Sequence, residues 1–215
     1  MSAQAQALAL FVVGLFASCL ACNQLQIRSD EVADNRAYGA SYRVTVLCPN
    51  LGMIAGSAVA ISPRYMLTAT HVVDCRGVSP VGIAVTDIHG SVYRVKVDTH
   101  AGKDVDVTRL VAVGSAWPIF SATSSRVPRL GEELCIIGGD GAGTLGMRKC
   151  GDVAPTVAGY ITVSLHVVPG NSGGPVFDRY GRVVGIVSKG SWAEGREHYM
   201  LAVPIGDVSQ LVALR

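Results

Sequence analysis

The sequence predicts an all-β fold with one short helix near its C-terminus. Three observations carry this. Short runs rich in valine and isoleucine recur along the chain, and many alternate apolar with polar residues at period two, the spacing of a half-buried strand. Gly, Pro, Asp and Asn split these runs at short intervals, with 25 glycines in 215 residues. Between the N-terminal segment and residue 200, no apolar stripe follows the period of a helix.

The first 27 residues carry no charged side chain, and ALALFVVGLFASCLAC, from Ala7 to Cys22, is a nearly continuous apolar run. It is shorter than the roughly 20 residues a membrane-spanning helix needs. Small residues crowd its end at Ala17, Ser18 and Ala21. Residues 1–22 therefore read as an export signal, although the usual positive start is missing. FASC, ending at Cys19, and CLAC, ending at Cys22, also look like lipobox sequences, which would make a lipidated N-terminus and attach the chain to a membrane. A retained buried or membrane-anchoring helix is the alternative. The expected location is outside the cytoplasm: periplasmic, secreted or tethered as a lipoprotein. Residues 23–37 turn polar and charged and read as a linker.

The candidate strands follow in order: SYRVTVLC, GSAVAIS, YMLTAT, GIAVTDIHG, VYRVKVDT, VDVTRLVAVG, ELCIIGG, GYITVSL, RVVGIVSK and YMLAVPI. So many short strands with turn signals between them suggest barrels or a sandwich. The end, IGDVSQLVALR, reads as a short helix capped by Asp207, with Val208, Leu211, Val212 and Leu214 on one face.

Composition excludes some classes. At 49% hydrophobic and 16% charged the chain is too apolar to be disordered. A net charge of +2 and 6% aromatic residues give no case for a nucleic-acid partner. The five histidines are scattered, with no metal-ligand spacing, and no phosphate-binding lysine follows the Gly-rich GGDGAGTLG. No cofactor and no metal are expected. Without the signal, Cys48, Cys75, Cys135 and Cys150 remain, an even number that fits two disulfides in an exported protein. Three pairings are open. The spacing favours Cys48 with Cys75 and Cys135 with Cys150, the latter across a hairpin.

The strongest chemical signal is PGNSGGPVF, Pro169 to Phe177. A serine hydroxyl needs an exposed position and a base beside it to act as a nucleophile. Flanking glycines allow a tight turn and close approach of substrate. The turn can aim the N–H groups of Gly170 and Ser172 at one point, an oxyanion hole. The second signal is MLTATHVVDC, Met66 to Cys75, where an apolar strand runs into a small-residue turn and then His71.

TATHVV and GNSGGPVF together resemble the histidine and nucleophile motifs of trypsin-like serine peptidases. GRVVGIVSKG and LAVPI make the resemblance closest to bacterial HtrA/DegP-type protease domains, over about residues 38–206. Those relatives often carry a PDZ module; this sequence ends soon after LAVPI, so none is expected. The resemblance implies two perpendicular six-stranded antiparallel β-barrels, about 38–120 and 121–206, within a peptidase domain over 38–212. It implies a serine endopeptidase with His71 as base and Ser172 as nucleophile, acting through an acyl-enzyme on a peptide or protein substrate. The alternative is a silent or latent protease-like domain that binds extended peptides. The acid of the triad should start the strand in KDVDVTRLVAV. Both Asp104 and Asp106 are candidates, and Asp106 fits better because Thr108 and Leu110 follow at the expected spacing.

Further roles follow from the same resemblance. Ser188 lies behind the acid, and the backbone of Ser188 and Gly190 pairs with an extended substrate. Asn171 stands where activatable trypsins have an aspartate, so no ion pair to a freshly cut N-terminus can form. His166, six before the nucleophile, lines the base of the primary pocket, with Val167, Val168 and Met200 making it apolar and His198 near the opposite wall. Without an aspartate there, an Arg/Lys preference is not expected. Small or apolar side chains are, with an acidic one received by His166 as the alternative.

Overall fold

A computed structural model describes residues 31, 33–139, 145–193 and 196–213; the side chains of 147 and 192–198 lie outside the description. The proposed signal, with Cys19 and Cys22, falls outside the described residues.

Twelve strands form two closed six-stranded barrels. The first comprises β1 (Ser41–Cys48), β2 (Gly52–Ala60), β3 (Tyr65–Thr68), β4 (Gly82–Thr86), β5 (Val92–His100) and β6 (Thr108–Ala112), in the order β1-β2-β3-β6-β5-β4. The second comprises β7 (Glu133–Gly139), β8 (Leu145–Val157), β9 (Tyr160–Val163), β10 (Pro175–Phe177), β11 (Val183–Ala193) and β12 (Arg196–Pro204), in the order β10-β11-β12-β9-β8-β7. Every ladder within them is antiparallel. Closure pairs the strands around each barrel, so little sheet edge is left open.

The alternation in the sequence sets which residues point inward. In β1, Tyr42, Val44, Val46 and Cys48 are buried and join Leu110, Val85 and Trp117 in the core of the first barrel. Trp117 is fully buried and donates its indole N–H to the Ser62 carbonyl. The second barrel has its own core around Leu134, Ile136, Val163, Val176 and Met200. A third cluster joins the two: Val59, Leu67 and Val107 of the first barrel pack with Ile137, Phe177, Ile186 and Val203 of the second. This shared layer fixes the surface between the barrels, where the site lies.

Four local expectations differ from the structure. Residues 33–40 form a helix, α1, so the stretch read as a linker is partly packed. Ala33, Ala37 and Ala40 recur at helical spacing, and Ala37 and Ala40 are buried against the shared layer. Small alanines make a stripe too weak to stand out in a polar segment. A one-turn helix, α2 (Thr70–Val73), carries His71. Two strands are absent from the sequence reading: β10 is only three residues long, and β8 carries Pro155 at a register shift between Ala154 and Val157, an irregularity at which a ladder accepts proline. At the end, Ile205–Val208 is a 3-10 turn preceding α3 (Ser209–Val212). Asp207 sits inside that turn and caps nothing, while Val208 and Leu211 are buried as expected. Leu214 lies outside the described residues.

Cys48 and Cys75 form one disulfide and Cys135 and Cys150 the other. One further polar device holds the second barrel. The Asp178 carboxylate is fully buried and accepts from Arg126, Arg182 and the backbone N–H groups of Tyr180 and Arg182. Removing it leaves the Arg182 guanidinium and the N–H groups of Tyr180 and Arg182 without that acceptor, while Arg126 keeps Glu132. Asp178→Ala is expected to lower the unfolding free energy by about 3 kcal/mol, the low end for a broken buried pair because both arginines reach solvent. Urea denaturation followed by circular dichroism measures it.

Candidate active site

His71 lies on α2, directly after β3. The apolar run YMLT is drawn into the first barrel, and the chain then turns at Ala69 in extended conformation. Asp106 precedes β6, the strand paired with β3, so pairing brings the two residues together. The His71 N–H donates to Asp106 Oδ1 at 3.0 Å, and His71 Nδ1 lies 2.8 Å from Asp106 Oδ2. With Nδ1 engaged, Nε2 is the ring nitrogen left for a further partner. Asp104 is exposed.

Ser188 closes the array from the second barrel. β11 shifts register between Val187 and Lys189, and the bulged Ser188 donates its hydroxyl to Asp106 Oδ2 at 2.6 Å. Burial raises the Asp106 carboxyl, but hydrogen bonds from His71 and Ser188 outweigh it and hold the group below the ordinary carboxylate range. A depressed value contributes stability that is present above the unfolded-state pKa and lost as pH falls through the folded one. The wild type is therefore expected to unfold at higher temperature than Asp106→Asn near neutral pH, with the gap closing below the ordinary carboxylate range. Thermal unfolding of both proteins down to about pH 2 checks this; a gap unchanged with pH refutes it.

The loop carrying Ser172 is clasped by both barrels. The Ser57 N–H donates to the Ser172 carbonyl at 2.8 Å, and Ser57 Oγ donates to the Gly170 carbonyl at 2.6 Å. Ser57 Oγ also accepts from the Gly139 N–H, and Thr68 Oγ1 donates to the Ser57 carbonyl. Asn171 is buried; its Nδ2 donates to the Gly139 carbonyl and its Oδ1 accepts from the Val168 N–H. Asn171 thus holds the loop with neutral hydrogen bonds. Gly170 takes φ +100° and Gly173 φ +81°. At Gly173 a Cβ would lie 2.3 Å from the Ser57 carbonyl oxygen and Thr68 Oγ1, so only glycine fits that turn. The N–H groups of Asn171, Gly173 and Gly174 are all consumed by internal bonds. Among the described residues, no hydrogen bond engages the N–H of Gly170, the N–H of Ser172 or Ser172 Oγ. Two amide donors and one hydroxyl are left unengaged on a rigid turn.

Beside this turn runs an unpaired stretch of strand. β10 follows β11 only as far as Pro175↔Ile186, and a last pair of bonds joins Val187 to Gly173 and Gly174. Residues 188–191 continue past them, with β12 on their other side only.

The residues expected to line the primary pocket differ in burial. Leu165 and Val167 are buried in the second core, while His166 between them is exposed. The alternation that buries the two apolar neighbours leaves His166 exposed. Met200 is fully buried and Val168 half-buried. The His198 side chain lies outside the described residues. Sequence reading missed Ser57, Thr68 and Gly139, the clasp of the loop. GSAVAIS reads only as a strand, because hydroxyls that hold a distant loop leave no local pattern.

The trypsin-like peptidase domain family model matches residues 56–186. A probable periplasmic serine endoprotease, DegP-like, from Pseudomonas savastanoi pv. phaseolicola (strain 1448A / Race 6) is 32% identical over 142 residues, 62% of this chain and 29% of that relative. The chain thus spans less than a third of that relative's length. The fold is similar to the active form of the Rv3671c protease from M. tuberculosis, with TM-score 0.71, 20% identity, and 84% of this chain and 82% of that one covered. It is also similar to the HtrA-type protease AlgW with tripeptide, with TM-score 0.70, 22% identity, and 85% and 62% covered. A family match over more than half of the chain, on a two-barrel fold with this arrangement between the barrels, shows that the chain belongs to the trypsin-like peptidase domain family.

Proposed function

We propose that the chain is a serine endopeptidase in which His71, Asp106 and Ser172 form the triad. The observation that carries the reading is the hydrogen-bonded array His71–Asp106–Ser188 beside a turn whose Ser172 hydroxyl and two flanking amides are unengaged. His71 Nε2 takes the Ser172 proton as Oγ attacks the peptide carbonyl. The tetrahedral oxyanion receives the N–H groups of Gly170 and Ser172. His71 then returns the proton to the leaving amine, and water, deprotonated by the same imidazole, releases the acyl group. Asp106 orients the ring and stabilises its protonated form. Neither metal nor cofactor enters these steps.

The substrate is a peptide or protein segment in extended conformation. It adds as a strand to the free edge of β11 at Ser188 and Gly190, so backbone hydrogen bonds hold it whatever its side chains. Two disulfides and the apolar segment 1–22 support a location outside the cytoplasm; the periplasmic description of the Pseudomonas relative points the same way. The test is exposure of the full chain to a fluorophosphonate probe and to an unstructured protein substrate. Covalent labelling of the tryptic peptide containing Ser172, together with internal cleavage of the substrate, is expected. A folded protein that gives neither refutes the reading.

A further inference from the structure

His71 rides on a single helical turn, α2, whose N-cap residue Ala69 makes no side-chain capping bond. The turn is tied sideways instead, at two consecutive residues. The His71 N–H reaches Asp106 Oδ1 at 3.0 Å, and Thr70 Oγ1 lies 2.9 Å from Thr108 Oγ1. Thr108 opens β6 two residues after Asp106. One tie is a pivot; two, to different residues of one segment, fix the angle of the turn against it.

Thr108 is fully buried. It pairs with Thr68 of β3 on one side and with His100 of β5 on the other, and His100 Nδ1 lies 2.6 Å from its hydroxyl. A hydroxyl has one proton to give and two lone pairs to receive. When Thr108 donates to His100 Nδ1, Thr70 donates to Thr108. When Thr108 donates to Thr70, Nδ1 carries a proton and donates to Thr108. In both arrangements the Thr108 oxygen is engaged from two sides, so β5 and α2 together fix its rotamer. Thr68 and Thr70 flank Ala69 and serve different partners: Thr68 Oγ1 holds the Ser57 carbonyl, within the clasp of the Ser172 loop, while Thr70 holds Thr108.

We propose that Thr108 is a positioning residue for His71, acting through the Thr70 hydroxyl to keep the imidazole seated on Asp106. The proposal rests on the reading of His71 as general base. Nδ1 meets Asp106 Oδ2 at 2.8 Å while the turn keeps its angle to β6. Without the second tie the turn rocks about its bonds to Asp106, and Nε2 is less often aligned for proton transfer, which needs heavy atoms within about 3 Å. Peptide held on the edge of β11 does not depend on that tie. The loss therefore falls on kcat and spares KM.

The test compares Thr108→Val, Thr108→Ser and Thr70→Val in the full chain, on one fluorogenic peptide. Valine keeps the branched shape and removes the hydroxyl; serine keeps the hydroxyl. Thr108→Val is expected to lower kcat about tenfold with KM within about twofold, and Thr108→Ser to recover most of the loss. Thr70→Val leaves the buried Thr108 hydroxyl its bond to His100, so it probes the same tie without stranding a buried group. It is expected to match Thr108→Val, and the double valine variant to lose no more than either alone. Equal losses in Thr108→Ser and Thr108→Val, a rise in KM in place of the fall in kcat, or additive losses in the double variant overturns the proposal. A second readout needs no turnover. In histidine-labelled protein the proton that His71 Nδ1 shares with Asp106 gives a downfield NMR signal, expected to move upfield in both valine variants and to stay in place in Thr108→Ser. A signal unmoved by valine overturns the proposal. A folded wild type that never hydrolyses peptide refutes the peptidase reading, and the NMR comparison then decides the hold of Thr108 on the imidazole by itself.

Discussion

Ser172→Ala is expected to abolish covalent labelling and to lower the rate of peptide hydrolysis by about 10⁴–10⁶-fold, with thermal unfolding unchanged. Both halves follow from the same geometry. In the proposed triad the hydroxyl is the attacking group, and what remains without it is the contribution of the amide donors and substrate binding. The hydroxyl also makes no hydrogen bond among the described residues, while the Ser172 carbonyl keeps its bond from the Ser57 N–H. Truncation therefore strands no polar partner, and the stability change stays within about 0.5 kcal/mol. Hydrolysis of a fluorogenic peptide and differential scanning calorimetry measure the two halves. A large fall in unfolding temperature would mean that the side chain holds the loop, a structural role the hydrogen bonds do not assign to it.

Asp106→Asn is the second large effect, with hydrolysis expected to drop on the order of 10⁴-fold. The carboxylate accepts three hydrogen bonds, from the His71 N–H, from His71 Nδ1 and from the Ser188 hydroxyl. An amide has one acceptor oxygen and a donor nitrogen. Whichever way it turns, one former donor meets another donor, or the imidazole takes the wrong tautomer and its base nitrogen is lost. Asp104→Asn serves as the control. Asp104 is exposed and makes none of these bonds, so its replacement is expected to leave hydrolysis within twofold of wild type. Steady-state kinetics of both variants on one peptide decides between the two carboxylates. Equal losses would remove Asp106 from the proposed triad.

Much of the architecture is legible because its causes are local. Alternation in SYRVTVLC and in YMLT assigns strands whose buried faces the barrels use. Where local cause fades, so does legibility. β8 bends through Pro155 and carries charged residues along an outer wall, so its pattern is diluted. The alanine stripe of α1 buries too little area to be seen against polar neighbours, and it forms because the shared layer between the barrels accepts Ala37 and Ala40. Asp207 reads as a cap from its type and position, yet Ile205 and Val208 are drawn into the core and wind the segment as a 3-10 turn first. His166 is named as a pocket residue by resemblance alone, and the burial of Leu165 and Val167 leaves it exposed between them.

The sequence by itself determined the all-β class, the serine turn with its glycines, the histidine turn and the short list of carboxylates, since each depends on residue type and spacing within a few positions. Only the tertiary structure decided which groups meet. β3–β6 pairing brings Asp106 to His71, a bulge in β11 aims Ser188 at Asp106 from the other barrel, and Ser57 reaches across to hold the turn of Ser172. These contacts join residues 35, 82 and 113 positions apart. The reason is physical: a hydrogen bond between distant segments leaves no periodicity in either, and its geometry is set by the packing of two closed barrels on a common apolar layer.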